Sequence, residues 1–437
     1  MRRSKDGHFS SLRVTILHLI LLLFFTTACA AFSNPIPVSI NLATATPTPF
    51  QPQPGAPDSP FAAPALPLPA PTFTAVPTVR VNHSQLSVQP EILAPAIGGG
   101  GFVPGYLTNP LTGLAFADPA LAERRPMAIK ITNSPDYVRP QSGLTLADVV
   151  YEYYIEWGDT RFIAVFYGND AKMVGPVRSG RFFDEHILRM YQAFLVYKYS
   201  DPREKEYFYS SDFASFLVVP GFTACPPFLV GKYARDSYNN IFFNTTKFGA
   251  CLAKAGRENA RPSLRSGFFS EQVTDSALQV NRIYTHYSAY SYNYWEYDAA
   301  THKYFRFQEA HDEYDPAHER HFPASYAALS DALTGLPVTA DNVIEIFVPY
   351  VFTDENQAED QVYHIDLVDS GQAFVFRDGF AYPARWYRTD NDQPLLITSL
   401  NGTPIYLRPG HTFYEVIGES STYVQDGADW SFRFQTP

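Results

Sequence analysis

Basic residues, cysteine and recognisable catalytic motifs are all scarce in this chain. Only 18% of its 437 residues are charged, and the formal net charge is −11. No basic run appears after the first few residues. Phosphate backbones are bound by basic faces, so no nucleic-acid partner is expected. No nucleophile elbow, zinc-protease helix, phosphate loop or dinucleotide fingerprint is present, which lowers the odds of an enzyme built on those motifs. No cofactor is expected. Cysteine occurs three times, at Cys29, Cys225 and Cys251. Cys225 precedes Pro226-Pro227 and has no paired histidine, so nothing marks it as a nucleophile. Apolar residues, by contrast, are plentiful. Hydrophobic residues make up 46% and aromatics 16%, enough for a large core and more than one small domain.

The first 29 residues have signal-peptide architecture. Arg2, Arg3, Lys5 and Arg13 precede an apolar stretch from Val14 to Phe25, followed by Thr26-Thr27-Ala28-Cys29-Ala30. The stretch is shorter than the ~20 residues a spanning helix needs. A small residue directly before cysteine resembles a lipobox, with Thr26 where the motif usually carries an aliphatic. Cys29 is therefore the expected lipidation site; plain cleavage after a small residue is the alternative. Residues 30–104 are rich in Pro, Thr and Ala, with almost no charge before Arg80. Such a segment buries too little apolar surface to offset its ordering entropy, and its prolines favour extended stretches. It reads as a disordered tether that holds the remainder off a membrane. In that oxidising compartment Cys225 and Cys251 can form a disulfide; two buried thiols are the alternative.

The periodicity predicts an α+β fold: a mixed α/β N-terminal domain over 105–275, then a mostly β C-terminal domain over 280–437. Met127–Thr132, Asp148–Glu156 and Arg161–Tyr167 read as strands, with Val149, Tyr151, Tyr153 and Ile155 on one apolar face of the second. Gly158-Asp159 is the expected hairpin loop, which would set Glu156 opposite Arg161. A helix is expected after Arg181, with Ser179 as its N-cap. Beyond Asn342 the pattern turns to strands, punctuated by Asp378-Gly379 and Asn401-Gly402 turns.

These residues resemble the YerB-like lipoprotein family. The likeness rests on Pro110 to Gly113, Arg139 to Gly143, Ala147-Asp148, Tyr151-Glu152, the Gly158, Thr160, Arg161 and Phe162 run, and Gly175 to Ser179 with Arg181. In the second half it rests on Trp295 to Asp298, Tyr304, Arg306, Asn342 to Ile344, Gly379, Trp386, Gly402, Ile405, Leu407, Pro409 and Gly410. Tyr197 to Asp201 and Asn239 depart from the family pattern, where histidines are usual. The resemblance implies a surface lipoprotein with a link to cell-wall assembly, and it supplies no reaction.

The candidate ligand-binding residues are Arg139, Arg161, Arg178, Ser179 and Arg181. Guanidinium forks beside a helix start can hold a carboxylate or phosphate. The structural alternative pairs them with Asp148, Glu152 and Glu156. Glu152 and Glu156 are too far apart along one strand for a glycosidase pair. His311, Asp315 and His318 have helical spacing, but Pro316 interrupts it, so no metal site is expected. The tyrosines from Tyr284 to Tyr297 suit either a buried face or a binding surface. The expected function is a tethered, extracytoplasmic binding or scaffolding protein, anchored to the membrane by lipid, with peptidoglycan or wall-synthesis proteins as partners. A peptidoglycan-acting enzyme with an anionic-substrate site and a solute-binding lipoprotein with a deep interdomain cleft are the alternatives.

Overall fold

The computed structural model describes residues 107–221, 227–232, 236–273, 276 and 278–436. Its central element is a ten-stranded mixed sheet. From one edge its strands are Leu396–Ser399, Phe380–Arg388, Asp369–Arg377, Asn342–Val348, Thr412–Gly418, Val149–Tyr154, Thr160–Phe166, Met127–Thr132, Phe194–Val196 and Leu217–Val218. The mixed α/β first half and mostly β second half are as expected, and the two halves share this sheet. Their seam is a parallel pairing that runs from Val149 opposite Thr412 to Tyr153 opposite Val416. The four strands around it are buried at every residue, as strands covered on both faces must be.

Different layers cover the two faces. Tyr151 and Tyr153 face the helical layer, where both rings pack on Phe183 beside the helix Asp184–Met190. Glu152 points the other way, toward Arg306 of a second sheet. That sheet runs Tyr326–Ala328, Lys303–Glu309, Ser291–Asp298, Arg282–Ser288, Asp429–Arg433 and Thr422–Asp426, with Thr339–Ala340 also paired to Lys303–Glu309. Trp295, Trp430 and Phe432 of this layer pack on Phe413, Phe374 and Phe376 of the first. The polar alternate face of the 149–154 strand is thus interior, where periodicity alone suggests a wetter side.

Several expected details shift. The connection is longer than the expected two-residue loop: Trp157 and Gly158 take positive φ, and Tyr153, not Glu156, stands opposite Arg161. Gly158 has no room for a Cβ beneath Tyr290, and its carbonyl accepts from Ser288 Oγ at 2.5 Å. Contact with the second sheet therefore accompanies the shift. The helix Pro202–Ser210, not anticipated, starts on a capping box: Asp201 accepts from Arg203 N–H at 2.9 Å, and Glu204 from Asp201 N–H at 3.0 Å. The Asp378-Gly379 turn is as expected, with both residues at positive φ between the Asp369–Arg377 and Phe380–Arg388 strands.

Gly371 marks a close approach in this hairpin. Trp386 Nε1 donates to the Phe347 carbonyl at 2.9 Å, and a Cβ on Gly371 would collide with both partners. Gly371→Ala is expected to cost about 1–3 kcal/mol through overpacking, read as a lower denaturant midpoint. Gly249→Ala is the control: Gly249 lies on the helix Phe248–Lys254, where a Cβ would meet only Asn259 Nδ2 at 3.8 Å, so alanine there should be neutral or stabilising.

Candidate functional site

The loop from Gly175 to Arg181 is laced between two neighbours. Thr132 N–H donates to Pro176 O at 3.0 Å and Arg178 N–H to Lys130 O at 3.2 Å on one side. Lys198 N–H donates to Arg178 O at 2.9 Å and Gly180 N–H to Tyr199 O at 3.0 Å on the other. Ser179 is held in this loop and does not cap the helix. The helix starts only at Asp184, with Phe183 at the N-cap position and no side-chain cap. Asp184 instead accepts from the Arg181 backbone N–H at 2.9 Å.

The five candidate residues are not used alike. Arg181 donates through Nε to Glu156 at 2.9 Å, and Glu204 lies 3.8 Å away. Burial works against its charge, but those two carboxylates hold its pKa above the ordinary value. Arg139 donates to the Asn133 carbonyl at 3.0 Å and the Glu309 carbonyl at 2.9 Å, and pairs with the Glu309 carboxylate. These two arginines are committed to holding elements together. Arg161 is buried, donates to its neighbour's carbonyl at 2.8 Å, and meets its nearest carboxylate, Asp159, only at 3.5 Å. Arg178 donates to Asn239 Oδ1 at 3.3 Å, and its Nε is buried without a hydrogen-bond partner. Burial pushes Arg178 down to about 10, with Arg161 and Arg181 adding to the effect. Asp148 is not their partner; it accepts from Asn109 and from the Tyr167 and Gly168 N–H groups.

Side chains from two other segments surround Arg178. Asn239 accepts from it, and Lys198 donates to Asn240 Oδ1 at 2.7 Å. Tyr238 lies beside the Arg178 guanidinium, 5.6 Å from ring centroid to Cζ, and is 66% exposed.

Two sealed clusters of titratable groups lie deeper. On the helical side Lys130 meets Tyr153 and Asp184, with no solvent exposure. Burial brings Lys130 down to about 8 and raises Asp184. On the other side Glu152, Glu415 and Glu345 stand in one row across three paired strands. Arg306 bridges Glu152 and Glu415, the latter at 2.8 Å. Glu415 also accepts from Trp295 Nε1 at 2.8 Å and Tyr287 Oη at 3.1 Å. Glu345 receives only Thr285 Oγ1, at 2.6 Å, and its second oxygen has no partner. Burial raises Glu152 to about 8 and Glu345 well above the carboxylate range. Sequence reasoning found Glu152 and Arg306 only as motif positions; their meeting needs the fold of one half onto the other.

A cavity of about 230 Å³ opens beside the helix start, lined by Phe182, Glu185, His186, Tyr207, His364 and Asp366, among others. His364 stacks on Phe182 at 4.1 Å. Burial brings His186 down to about 3, and Arg388 Nη1 hydrogen-bonds its Nδ1 at 2.9 Å. The cavity thus has one neutral imidazole fixed in its wall.

Other sequence candidates are dispersed. Glu156 is at the hairpin surface with Arg181, whereas Glu152 is interior. The 311–321 segment forms a small hairpin, Tyr314–Asp315 with Arg320–His321, in which His318 hydrogen-bonds Asp315 at 2.7 Å. Among the described residues no group of three His, Cys, Asp or Glu is arranged to hold a metal. Tyr292, Trp295 and Tyr287 are interior, while Tyr284 and Tyr294 are half-buried on the outer face. Cys251 is buried on its helix; Cys29 and Cys225 lie outside the described residues.

Comparison with known proteins places this arrangement. Residues 111–258 match the DUF3048 N-terminal domain and 283–414 the DUF3048 C-terminal domain, each described as a protein of unknown function. The chain is 26% identical over 314 residues to a Bacillus subtilis (strain 168) protein named "Putative lipoprotein YerB", covering 71% of this chain and 86% of that one. The crystal structure of the YerB protein from Bacillus subtilis has the same fold, with a TM-score of 0.59 at 22% identity over 71% of this chain and 96% of that chain. With both domains present in order and the fold shared, the chain belongs to the YerB-like DUF3048 family.

Proposed function

We propose that this chain is a membrane-tethered, extracytoplasmic binding or scaffolding lipoprotein of the bacterial envelope, anchored by lipid on Cys29. Its proposed partners are peptidoglycan or wall-synthesis proteins. The observation that carries the binding reading is how the charged groups are divided. The buried carboxylate and lysine clusters have no solvent exposure, so no substrate reaches them. Arg178 is half-buried in its loop, with a buried Nε that has no hydrogen-bond partner. That division suits recognition better than turnover; the alternative, a peptidoglycan-acting enzyme, would need exposed proton-transfer groups beside the arginines. The signal segment, the tether and the relative's lipoprotein name support the anchor. An oxidised Cys225–Cys251 pair belongs to the same reading.

Cys29→Ser is expected to move the protein from the membrane fraction to the soluble fraction; retention on the membrane would refute the anchor. Alkylation of the same preparation with and without reduction reads the cysteine pair. The intact chain in detergent should co-sediment saturably with purified cell-wall sacculi, and Arg178→Ala should abolish this. Absence of saturable binding would remove direct wall recognition, and release of soluble fragments would favour the enzyme.

A further inference from the structure

Arg178 and Arg161 have an unusual electrostatic position. A buried guanidinium is ordinarily matched by a carboxylate or a set of carbonyls. Arg161 is buried and Arg178 half-buried, and the remaining buried arginines among the described residues obey that rule. Arg306 has two glutamates, Arg377 has Asp378, and Arg388 has the Leu367, Asn391 and Gln393 carbonyls. Arg178 has no carboxylate within 4.0 Å among the described residues, and only one long hydrogen bond, to Asn239. Arg161 has a single carboxylate at 3.5 Å. Arg161 stands opposite Thr132, whose N–H donates to the Pro176 carbonyl, and Arg178 bonds the same strand at Lys130, so the two arginines flank one strand. Lys198 is a third cation beside Arg178: its backbone pairs with that of Arg178, and its ammonium meets only neutral oxygens, of Ser237 and Asn240.

The neighbouring acids do not fill the gap. Asp236 accepts from Tyr137 Oη at 2.7 Å and from Asn239 Nδ2 at 2.7 Å. Those bonds turn the Asn239 carbonyl oxygen toward Arg178. Glu156 is committed to Arg181. Two exposed rings, Tyr137 at 52% and Tyr238 at 66%, border the group. Each presents a flat apolar body with a polar tip.

We propose that Arg161 and Arg178, supported by Lys198 and bordered by Tyr137 and Tyr238, bind the phosphate group of an envelope phosphate ester. The inference rests on the binding-protein reading and names the ligand chemistry of its site. Two guanidinium forks and an ammonium offer donors in several directions. A tetrahedral dianion answers those directions and offsets more of the charge than a planar carboxylate does. The site is displaced from the helix start: Arg181 and Ser179 frame the loop, and Arg139 is remote from it in function.

The test titrates the intact chain in detergent with inorganic phosphate at constant ionic strength, with acetate as the planar monoanion. Tyr238→Trp supplies a fluorescent reporter at the rim, and the unfolding midpoint is followed in parallel. Saturable responses to phosphate, weaker for acetate, are expected. Arg178→Gln should weaken phosphate binding about tenfold or more, and Arg178→Lys should restore part of it. Glycerol 3-phosphate and phosphatidylcholine vesicles with and without phosphatidic acid, the vesicles tested with detergent removed, separate a soluble monoester from a lipid headgroup; a response to either that is lost in Arg178→Gln supports the site. No saturable phosphate response, or an equal response in a folded Arg178→Gln variant, would overturn it. This outcome is independent of Cys29 fractionation and sacculus binding. Phosphate binding without wall binding would keep the site and remove the wall partner.

Discussion

Raising the pH from 6.5 to about 8 is expected to lower the unfolding midpoint of this protein steadily. Burial raises Glu152 to about 8 and Glu204 and Glu309 to about 7, from an ordinary 4.5, and drives Glu345 well above that value. A carboxyl with a raised folded-state pKa binds its proton more tightly in the folded chain. Its stabilising contribution is complete below the unfolded value and is lost as the pH climbs through the folded one. Glu152 alone accounts for about 2 kcal/mol across this window. His186 acts oppositely, because burial lowers it to about 3; its contribution is complete above 6.5 and is lost only as the pH falls from there. The window therefore starts at 6.5, where the histidine has little further effect. Denaturant melts at fixed salt across this range check the slope, and Glu152→Gln should flatten it. A midpoint that stays flat with pH would show that the row is ionised throughout.

Arg306→Met is expected to be among the most damaging single changes in the molecule, costing about 3–5 kcal/mol at pH 8. Arg306 is unexposed and bonds Glu152, Glu415 and Gln308, while its guanidinium lies 5.2 Å from the Trp295 ring and 5.0 Å from that of Phe413. Methionine restores much of the volume but leaves the carboxyl row without its cation. The loss should shrink toward pH 6.5, where the glutamates take up protons. Combining Arg306→Met with Glu152→Gln and Glu415→Gln should recover part of the stability, since it removes the charges that the arginine offsets. Chemical unfolding of the natural chain, Arg306→Met, Glu152→Gln/Glu415→Gln and the combined variant at both pH values reads the cycle. An equal cost at the two pH values would assign the loss to packing.

The strand positions around Val149, Ile163 and Ile344 were legible because β-branched and aromatic residues gather there between turn residues. The helix Pro202–Ser210 carried a readable signal in Asp201, Pro202 and Glu204, but its exposed residues hide the usual apolar stripe. The three row glutamates defeated pattern reading. Each is the one charged residue in a largely apolar strand, and only the pairing of Glu152 with Glu415 and of Glu345 with Glu415 reveals them as one group. Arg178 was legible as a candidate, but its distinction from Arg181 was not. That distinction depends on where Glu156, Glu204 and Asn239 arrive, and those positions are set by a hairpin turn, a capped helix and a distant loop.

The parallel seam has a consequence for synthesis. The 149–154 strand has the 160–166 strand beside it early, but its other neighbour is residues 412–418, about 260 positions later in the chain. Until that stretch emerges, an apolar strand edge stays open, and open edges invite pairing with other chains. The 342–348 strand waits for the same segment. One late strand thus completes both halves at once. Folding is set to finish as a single event near the end of the chain, with long-range pairing as the slow step.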